Sequence, residues 1–192
     1  AAGATPESTQ EFIVEVASGT FVSRAMVFFF DPEGLDDGDR WQAFAAPLLL
    51  ARSTTGNPFL NLGTLYDSDV FWQFDRAGFP DGIGVPLALL HEVARSREHE
   101  YFVTGSISED DTGKTLEVSI YQVSPLQMTE QARFTGADLY ASVDQARTFV
   151  QDALMPDTDD ATSISQYPVE EALSADEEAL KTFIEASNAW LM

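Results

Sequence analysis

One β-hairpin constrains the fold of this chain more than any other feature of its sequence. In residues 115–123, three apolar side chains, Leu116, Val118 and Ile120, alternate with more polar ones. This period of two is typical of a strand that buries one face. Residues 101–107 form a second apolar segment, and a polar turn joins the two. The sequence therefore predicts an antiparallel hairpin, and its apolar face needs a covering layer.

The other periodic segments predict further strands and helices around this hairpin. Strands are expected at residues 12–16, 21–30 and 126–134, and helices at 41–52, 86–99 and 138–154 and from Ser174 onward. Pro47 falls inside the first helix and removes a backbone donor, so we expect that helix to kink or restart. The predicted class is α/β (α+β): a small mixed sheet of about five strands with a C-terminal hairpin, covered by three to four helices.

Length and composition predict one folded domain with appendages, because a domain typically holds ~100–200 residues. The expected parts are a flexible tail at residues 1–10, an α/β sensor or binding domain at 11–155, a linker at 156–172 and an amphipathic helix at 173–192. This last helix opens on a capping-box pattern, from Ser174 to Glu177, and has no stop signal. We therefore expect the natural chain to continue.

The charge balance limits the partners that such a chain can bind. Its 32 acidic residues against 10 Lys and Arg give a formal charge of -22. Because this surface repels phosphate backbones and anionic lipid heads, binding to nucleic acid or directly to a membrane surface is not expected. Small cationic or polar ligands and basic protein patches are attracted. Solubility in a saline habitat is an alternative explanation of the acidity.

Several other features restrict the chemistry and the context of the chain. It has no cysteine, so disulfides and thiolate chemistry are excluded. No apolar run approaches the ~20 residues of a membrane span, and the longest, Ala25 to Phe30, predicts a buried strand. The chain has no visible signal peptide and no initial Met, which indicates a processed or trimmed piece of a longer protein.

Two catalytic motifs are approached but not completed. The zinc-protease pattern begins at His91, but Arg95 stands where the second histidine is needed, and His99 is about two helical turns away. The sequence Gly113 to Thr115 resembles the end of a phosphate loop, yet Ser108 replaces the required glycine and a strand follows. The sequence therefore predicts no catalytic residue, no cofactor and no metal ligand.

Acidic side chains leave one enzymatic alternative open. The clusters at residues 31–39 and 157–160 have neither the spacing nor the distant glutamate of a calcium loop, so solvated loops are the simpler interpretation. Carboxylates that are distant in sequence can still meet in space, as they do in glycoside hydrolysis. A carboxylate-dependent hydrolase is therefore kept as an alternative function.

Two aromatic groups are the candidate binding residues. The segment 53–84 is dense in Gly, Pro and Asp but also strongly aromatic, so it is either a binding surface or a packed part of the core. The binding candidates in this segment are Phe71, Trp72, Phe74 and Phe79. In the last helix, Phe183 and Trp190 lie beside the apolar stripe and predict an interface, which would make the chain a homodimer or an assembly module.

The order of these segments resembles the TolB amino-terminal-like domain of bacterial tetratricopeptide-repeat signalling proteins of the adenylate-cyclase, kinase and membrane-regulator types. The strongest similarity lies in residues 89–123, where a helix leads into Tyr101–Ile107, similar to the family pattern "a-y-v-l-t-G-s-i". The segment Phe134–Leu139 resembles the next recurrent piece. The resemblance covers about residues 21–154 and the closing helix, and it departs from the family at 53–84.

This resemblance implies a function that is not catalytic. Family members act in sensing, docking or assembly, so the chain is expected to be a sensory or protein-interaction domain of a larger bacterial signalling protein. The closing helix would then lead into helical repeats. The family also favours a periplasmic or extracytoplasmic location, tethered by a membrane span outside this chain, although the sequence is compatible with a cytoplasmic one. Fold analogy by itself does not assign a function.

Overall fold

The computed structural model describes residues 22–66, 68–111, 113–155 and 168–191, with only the backbone considered at 68, 69 and 191. The predicted tail, the predicted strand at 12–16 and most of the predicted linker lie outside these residues. The strands are β1 Ser23–Val27, β2 Asp31–Pro32, β3 Leu60–Thr64, β4 Tyr101–Asp110, β5 Gly113–Gln122 and β6 Gln127–Gly136. The helices are α1 Gln42–Ser53, α2 Ser68–Arg76, α3 Leu87–Ser96, α4 Leu139–Leu154 and α5 Glu177–Leu191, with a 3₁₀ turn at Val169–Glu171.

A six-stranded mixed sheet organises these elements and confirms the predicted class. Its order is β3-β1-β4-β5-β6, and β2 pairs with β4 farther along the edge that β1 occupies. The strands β3, β1 and β4 run parallel, whereas β4, β5 and β6 form an antiparallel meander. The chain therefore combines a parallel half, in which helices connect the strands, with a hairpin half that is local in sequence.

The predicted hairpin is formed by β4 and β5, and its register matches the predicted faces. Val103 pairs with Ile120 and Ile107 pairs with Leu116, so the apolar side chains share one face of the sheet. Helix α4 covers this face: Phe149 contacts Phe134 of β6 with 5.4 Å between ring centroids. The prediction that Leu116, Val118 and Ile120 point together into the core is confirmed, because all three are buried.

The core beside β1 is built from phenylalanines. Phe28 meets Phe74 of α2 and Phe102 of β4 at centroid distances of 6.1 and 5.8 Å. The neighbouring Phe29 contacts Phe44 of α1 at 4.8 Å and Phe71 of α2 at 5.5 Å. These rings tie the segment 53–84 to the sheet, so it is a packed part of the fold. The sequence pattern of this segment predicted neither the strand β3 nor the helix α2.

Helix α1 continues through Pro47 and does not restart there. A proline at this position cannot donate to the carbonyl of residue 43, one turn earlier. The backbone N–H of Phe30 donates to that same Ala43 carbonyl at 3.1 Å. The acceptor that Pro47 leaves open is therefore used by the segment that follows β1, and this hydrogen bond joins the helix to the sheet.

The caps of α4 and α5 fix where these helices begin. Asp138 precedes α4, and its carboxylate accepts a hydrogen bond from Ala141 N at 2.8 Å. For α5 the predicted capping box, from Ser174 to Glu177, was wrong, because the helix begins at Glu177 and its cap is two residues after Ser174. Asp176 holds the cap, accepting from Glu178 N at 3.0 Å and from Ala179 N at 3.2 Å. The Ser174 hydroxyl accepts from Asp176 N instead, in the turn that precedes the helix.

Candidate functional site

The two histidines lie in structural surroundings. His91 Nε2 donates to the Val123 carbonyl at 2.9 Å, which fastens α3 to the end of β5. His99 lies against Gly63, and its Nδ1 is buried without a hydrogen-bond partner in the described part of the chain. Burial lowers the pKa of His99, and the positive charges of Arg24 and Arg97 lower it further. Within the described ranges, neither ring is hydrogen-bonded to a hydroxyl or a carboxylate, the partners that a triad requires.

The first acidic cluster serves the fold of its own loops. Asp31 accepts a hydrogen bond from Gly84 N at 2.8 Å, and Asp39 accepts one from the Gln42 side chain at 3.1 Å. Among the residues that the structure describes, no group of three or more His, Asp or Glu is arranged to hold a metal ion. The second cluster, at 157–160, lies outside these residues.

The four aromatic binding candidates of segment 53–84 have different surroundings. Phe74 is fully buried and Phe71 is 5% exposed, so both are core residues. Phe79 is half-buried and packs against the core. Trp72 alone among the four is open to solvent, with 68% of its surface exposed. Of the two interpretations of this segment, packing in the core holds for Phe71 and Phe74, whereas Trp72 is accessible for binding.

Helix α5 has one face in the core and an aromatic face in solvent. Leu180 and Ile184 are buried, and the helix packs against α1. Phe183 is 50% exposed and Trp190 is 81% exposed. The helical period of 3.6 residues places these two rings on the same side, next to the buried stripe. Both predicted interface residues are thus accessible and close together.

A groove of about 410 Å³ runs along this exposed face. Its lining is mostly apolar and consists of Tyr66, Phe183, Ala186, Ser187 and Trp190. The ring of Tyr66 packs on Phe29 of the core at 5.6 Å. Its hydroxyl is buried and has no hydrogen-bond partner among the described residues, and burial raises its pKa. We refer to these five residues as the α5 groove. Tyr66 was missed by the sequence analysis, because no periodic pattern connects it with the last helix.

Negative charge gathers at the N-terminal end of α5. Asp138, Tyr140, Asp144 and Glu170 line a depression of about 260 Å³. The Tyr140 hydroxyl donates to the Ser174 carbonyl at 2.7 Å, which places the start of α5 beside this depression. Burial raises the pKa of Tyr140, and the surrounding carboxylates raise it further; they are Glu177, Asp138, Asp176 and Glu170. We call this depression, which Asp138, Asp144 and Glu170 line and which Asp176 and Glu177 flank, the acidic depression.

No protein-family model and no curated protein sequence matches this chain. Several solved structures are similar to it at low sequence identity. The LpoB C-terminal domain from Salmonella enterica is 12% identical, with a TM-score of 0.41 over 65% of this chain and 90% of that chain. TolB from Acinetobacter baumannii is 14% identical, with a TM-score of 0.40 over 73% of this chain and 28% of that chain. A PelC dodecamer from Paraburkholderia phytofirmans is 14% identical, with a TM-score of 0.41 over 72% of this chain and 92% of that chain.

Similarity at these values does not assign the chain to a family. The resemblance to TolB amino-terminal-like domains therefore stays a prediction, and so does the link to tetratricopeptide-repeat signalling proteins. Of the described helices, none is both long and apolar enough to cross a membrane.

Proposed function

We propose that this chain is a non-catalytic protein-interaction domain that binds its partner through the α5 groove. One observation carries the proposal: Phe183 and Trp190 are large, exposed and on the same side of a helix whose other face is part of the core. A contiguous apolar patch on a soluble surface is typical of a binding site, and aromatic residues dominate the energetics of such sites. Rigid support by Leu180 and Ile184 holds the two rings in place for a partner.

A wider proposal follows from the family resemblance. The domain would serve sensing or docking within a larger bacterial signalling protein, in a periplasmic or other extracytoplasmic location. The α5 groove would then be the surface through which a signal passes to another protein. The exposed Trp72 of α2 is a second candidate contact, since 68% of its surface is exposed while Phe71 and Phe74 of the same helix are buried.

The groove is tested by removing its two exposed rings. The variant Phe183→Ala/Trp190→Ala should fold normally, because substitutions of exposed side chains usually change the free energy of unfolding by no more than about 0.5 kcal/mol. Immobilised wild-type protein should retain partner proteins from an extract of the native organism, and this variant should lose them. Quantitative mass spectrometry of the retained proteins measures the difference.

A matched control removes exposed apolar side chains elsewhere. Leu126 lies in the turn between β5 and β6 and Met128 at the start of β6, and the two side chains are 42% and 46% exposed, so Leu126→Ala/Met128→Ala serves as this control. This control should retain the same proteins as the wild type. The proposal fails if the groove variant and the control retain identical sets of proteins. Loss of partners in Trp72→Ala alone would move the site to α2.

A further inference from the structure

We infer that the occupant of the α5 groove is a basic amphipathic helix of another protein. This inference rests on the proposed function and names the chemistry of the partner. Three features of the structure support it: the spacing of the groove residues, the acidic depression at one end of α5, and the charge of the whole chain.

The groove has the shape of a helix-binding stripe. Its α5 residues fall at positions 183, 186, 187 and 190, the i, i+3, i+4, i+7 spacing of one helix face. This stripe is about 10 Å long at 1.5 Å per residue, which matches two turns of a second helix laid alongside it. Tyr66 forms the opposite wall. Helix-in-groove recognition uses apolar anchors at the same spacing on the incoming helix.

Charge selects a basic occupant. The acidic depression lies at the N-terminal end of α5, about 20 Å from Trp190 along the helix axis. Asp176 lies seven residues before Phe183 and therefore on the groove side of α5. A helix seated in the groove and extended past the start of α5 can place a Lys or Arg side chain beside this exposed carboxylate. Half of the cations of this chain are already paired with its own acids, since five of the ten form ion pairs: Arg40 with Asp81, Arg95 with Glu92, Lys114 with Glu109, Arg133 with Glu117 and Arg147 with Asp144.

The same charge argues against a second copy of this chain as the occupant. Each copy carries a formal charge of -22, so two copies repel one another at moderate ionic strength. In α5 itself, Glu177, Glu178 and Glu185 outnumber the single base, Lys181. A basic partner is attracted by the surface that would oppose a homodimer.

The test uses designed peptides as probes. One is an amphipathic helix of about 18 residues made of Leu and Lys, and its matched counterpart has Glu in place of Lys. Fluorescence anisotropy of the labelled peptides measures binding to the intact chain. The Lys peptide should bind, and the Glu peptide should not. Phe183→Ala/Trp190→Ala should weaken binding of the Lys peptide by about tenfold or more, since buried aromatic anchors dominate such contacts.

Two controls separate groove binding from general attraction to an acidic protein. Leu126→Ala/Met128→Ala should bind the Lys peptide as tightly as the wild type does. This control, the groove variant and the wild type have the same net charge, so a difference in binding between them does not come from general electrostatic attraction. Asp176→Asn keeps a side-chain acceptor for the cap of α5 and should weaken binding of the Lys peptide by about threefold at low salt. Glu98→Gln, with an identical change in charge, should weaken it less. Thermal unfolding confirms that every variant is folded.

Three results would overturn the inference. In the first, the Lys peptide binds all variants equally, which indicates attraction to the acidic surface alone. In the second, the Glu peptide binds as tightly as the Lys peptide. In the third, light scattering shows a dimer that Phe183→Ala/Trp190→Ala abolishes, so that a second copy is the occupant. If the capture of partner proteins depends on the groove while binding of the Lys peptide does not, the proposed function stands. In that case only the inference that the partner is basic is wrong.

Discussion

Gly105 lies where the β4–β5 hairpin leaves no space for a side chain. A Cβ at this position would lie 2.0 Å from the Glu117 carbonyl oxygen and 3.3 Å from the Val118 Cα. Both are backbone atoms of the paired strand, so neither can move without breaking the ladder. The backbones of the two strands therefore approach one another too closely at this position for any residue but glycine.

Gly105→Ala is therefore expected to destabilise the fold by about 3 kcal/mol or more, because overpacking against backbone forces the strands apart. The free energy of unfolding in urea measures the loss. Gly38→Ala is the matched control, since no atom lies within 4 Å of the Cβ it would add. The close-approach explanation is refuted if the two alanine variants are equally stable.

His99 should make stability depend on pH in a defined direction. Burial and the charges of Arg24 and Arg97 lower its pKa in the folded state. The unfolded chain then binds a proton more readily, so this histidine favours unfolding as the pH falls through its ordinary value of about 6.5. Above that value its contribution to stability is complete.

Replacing this residue by His99→Gln removes the titration. The free energy of unfolding should fall more steeply between pH 7.5 and pH 5 in the wild type than in this variant. Urea denaturation at several pH values measures both slopes, and the many carboxylates contribute equally to each. Parallel slopes would show that burial of His99 does not couple protonation to folding.

At the scale of elements, the strongly periodic segments could be predicted and the irregular ones could not. The hairpin, α3 and α4 follow from alternation and from helical spacing, which act locally. Strand β3 has only five residues and α2 only nine, in a segment crowded with Gly, Pro and Asp. Strand β3 therefore depends on its pairing with β1, and α2 on its packing against Phe28 and Phe29. The backbone N–H of Phe30 also donates to the Ala43 carbonyl that Pro47 leaves without a donor. This long-range hydrogen bond cannot be predicted from a local sequence pattern.

The start of α4 offers a test of local capping. Asp138→Ala removes the acceptor for Ala141 N and should cost about 1 kcal/mol of unfolding free energy. Asp138→Asn keeps a side-chain acceptor while removing the same charge, so it should retain most of the stability. Urea denaturation compares the two variants. Equal losses in both would mean that the charge of Asp138, and not its hydrogen bond, stabilises the helix.

At the scale of the whole molecule, the candidate site joins parts of the sequence that lie far apart. Phe183 and Trp190 could be predicted as an interface, since aromatic residues beside a complete apolar stripe have no place in the core. Tyr66 could not, because the fold of segment 53–84 determines that it faces α5. The acidic depression likewise combines the start of α4 with the residues before α5, which are about 35 positions apart. Composition predicted the sign of the charge, and the fold determines where it concentrates.

Mapping the contact surface tests the central claim most directly. A ¹⁵N-labelled sample of the full chain, titrated with the unlabelled Leu/Lys helix, reports on each backbone amide in a two-dimensional NMR spectrum. We expect the largest shift changes at Tyr66 and along residues 183–190, with a smaller change at Asp176. Changes centred on Trp72, or spread evenly over the acidic loops while α5 is unaffected, would contradict the account.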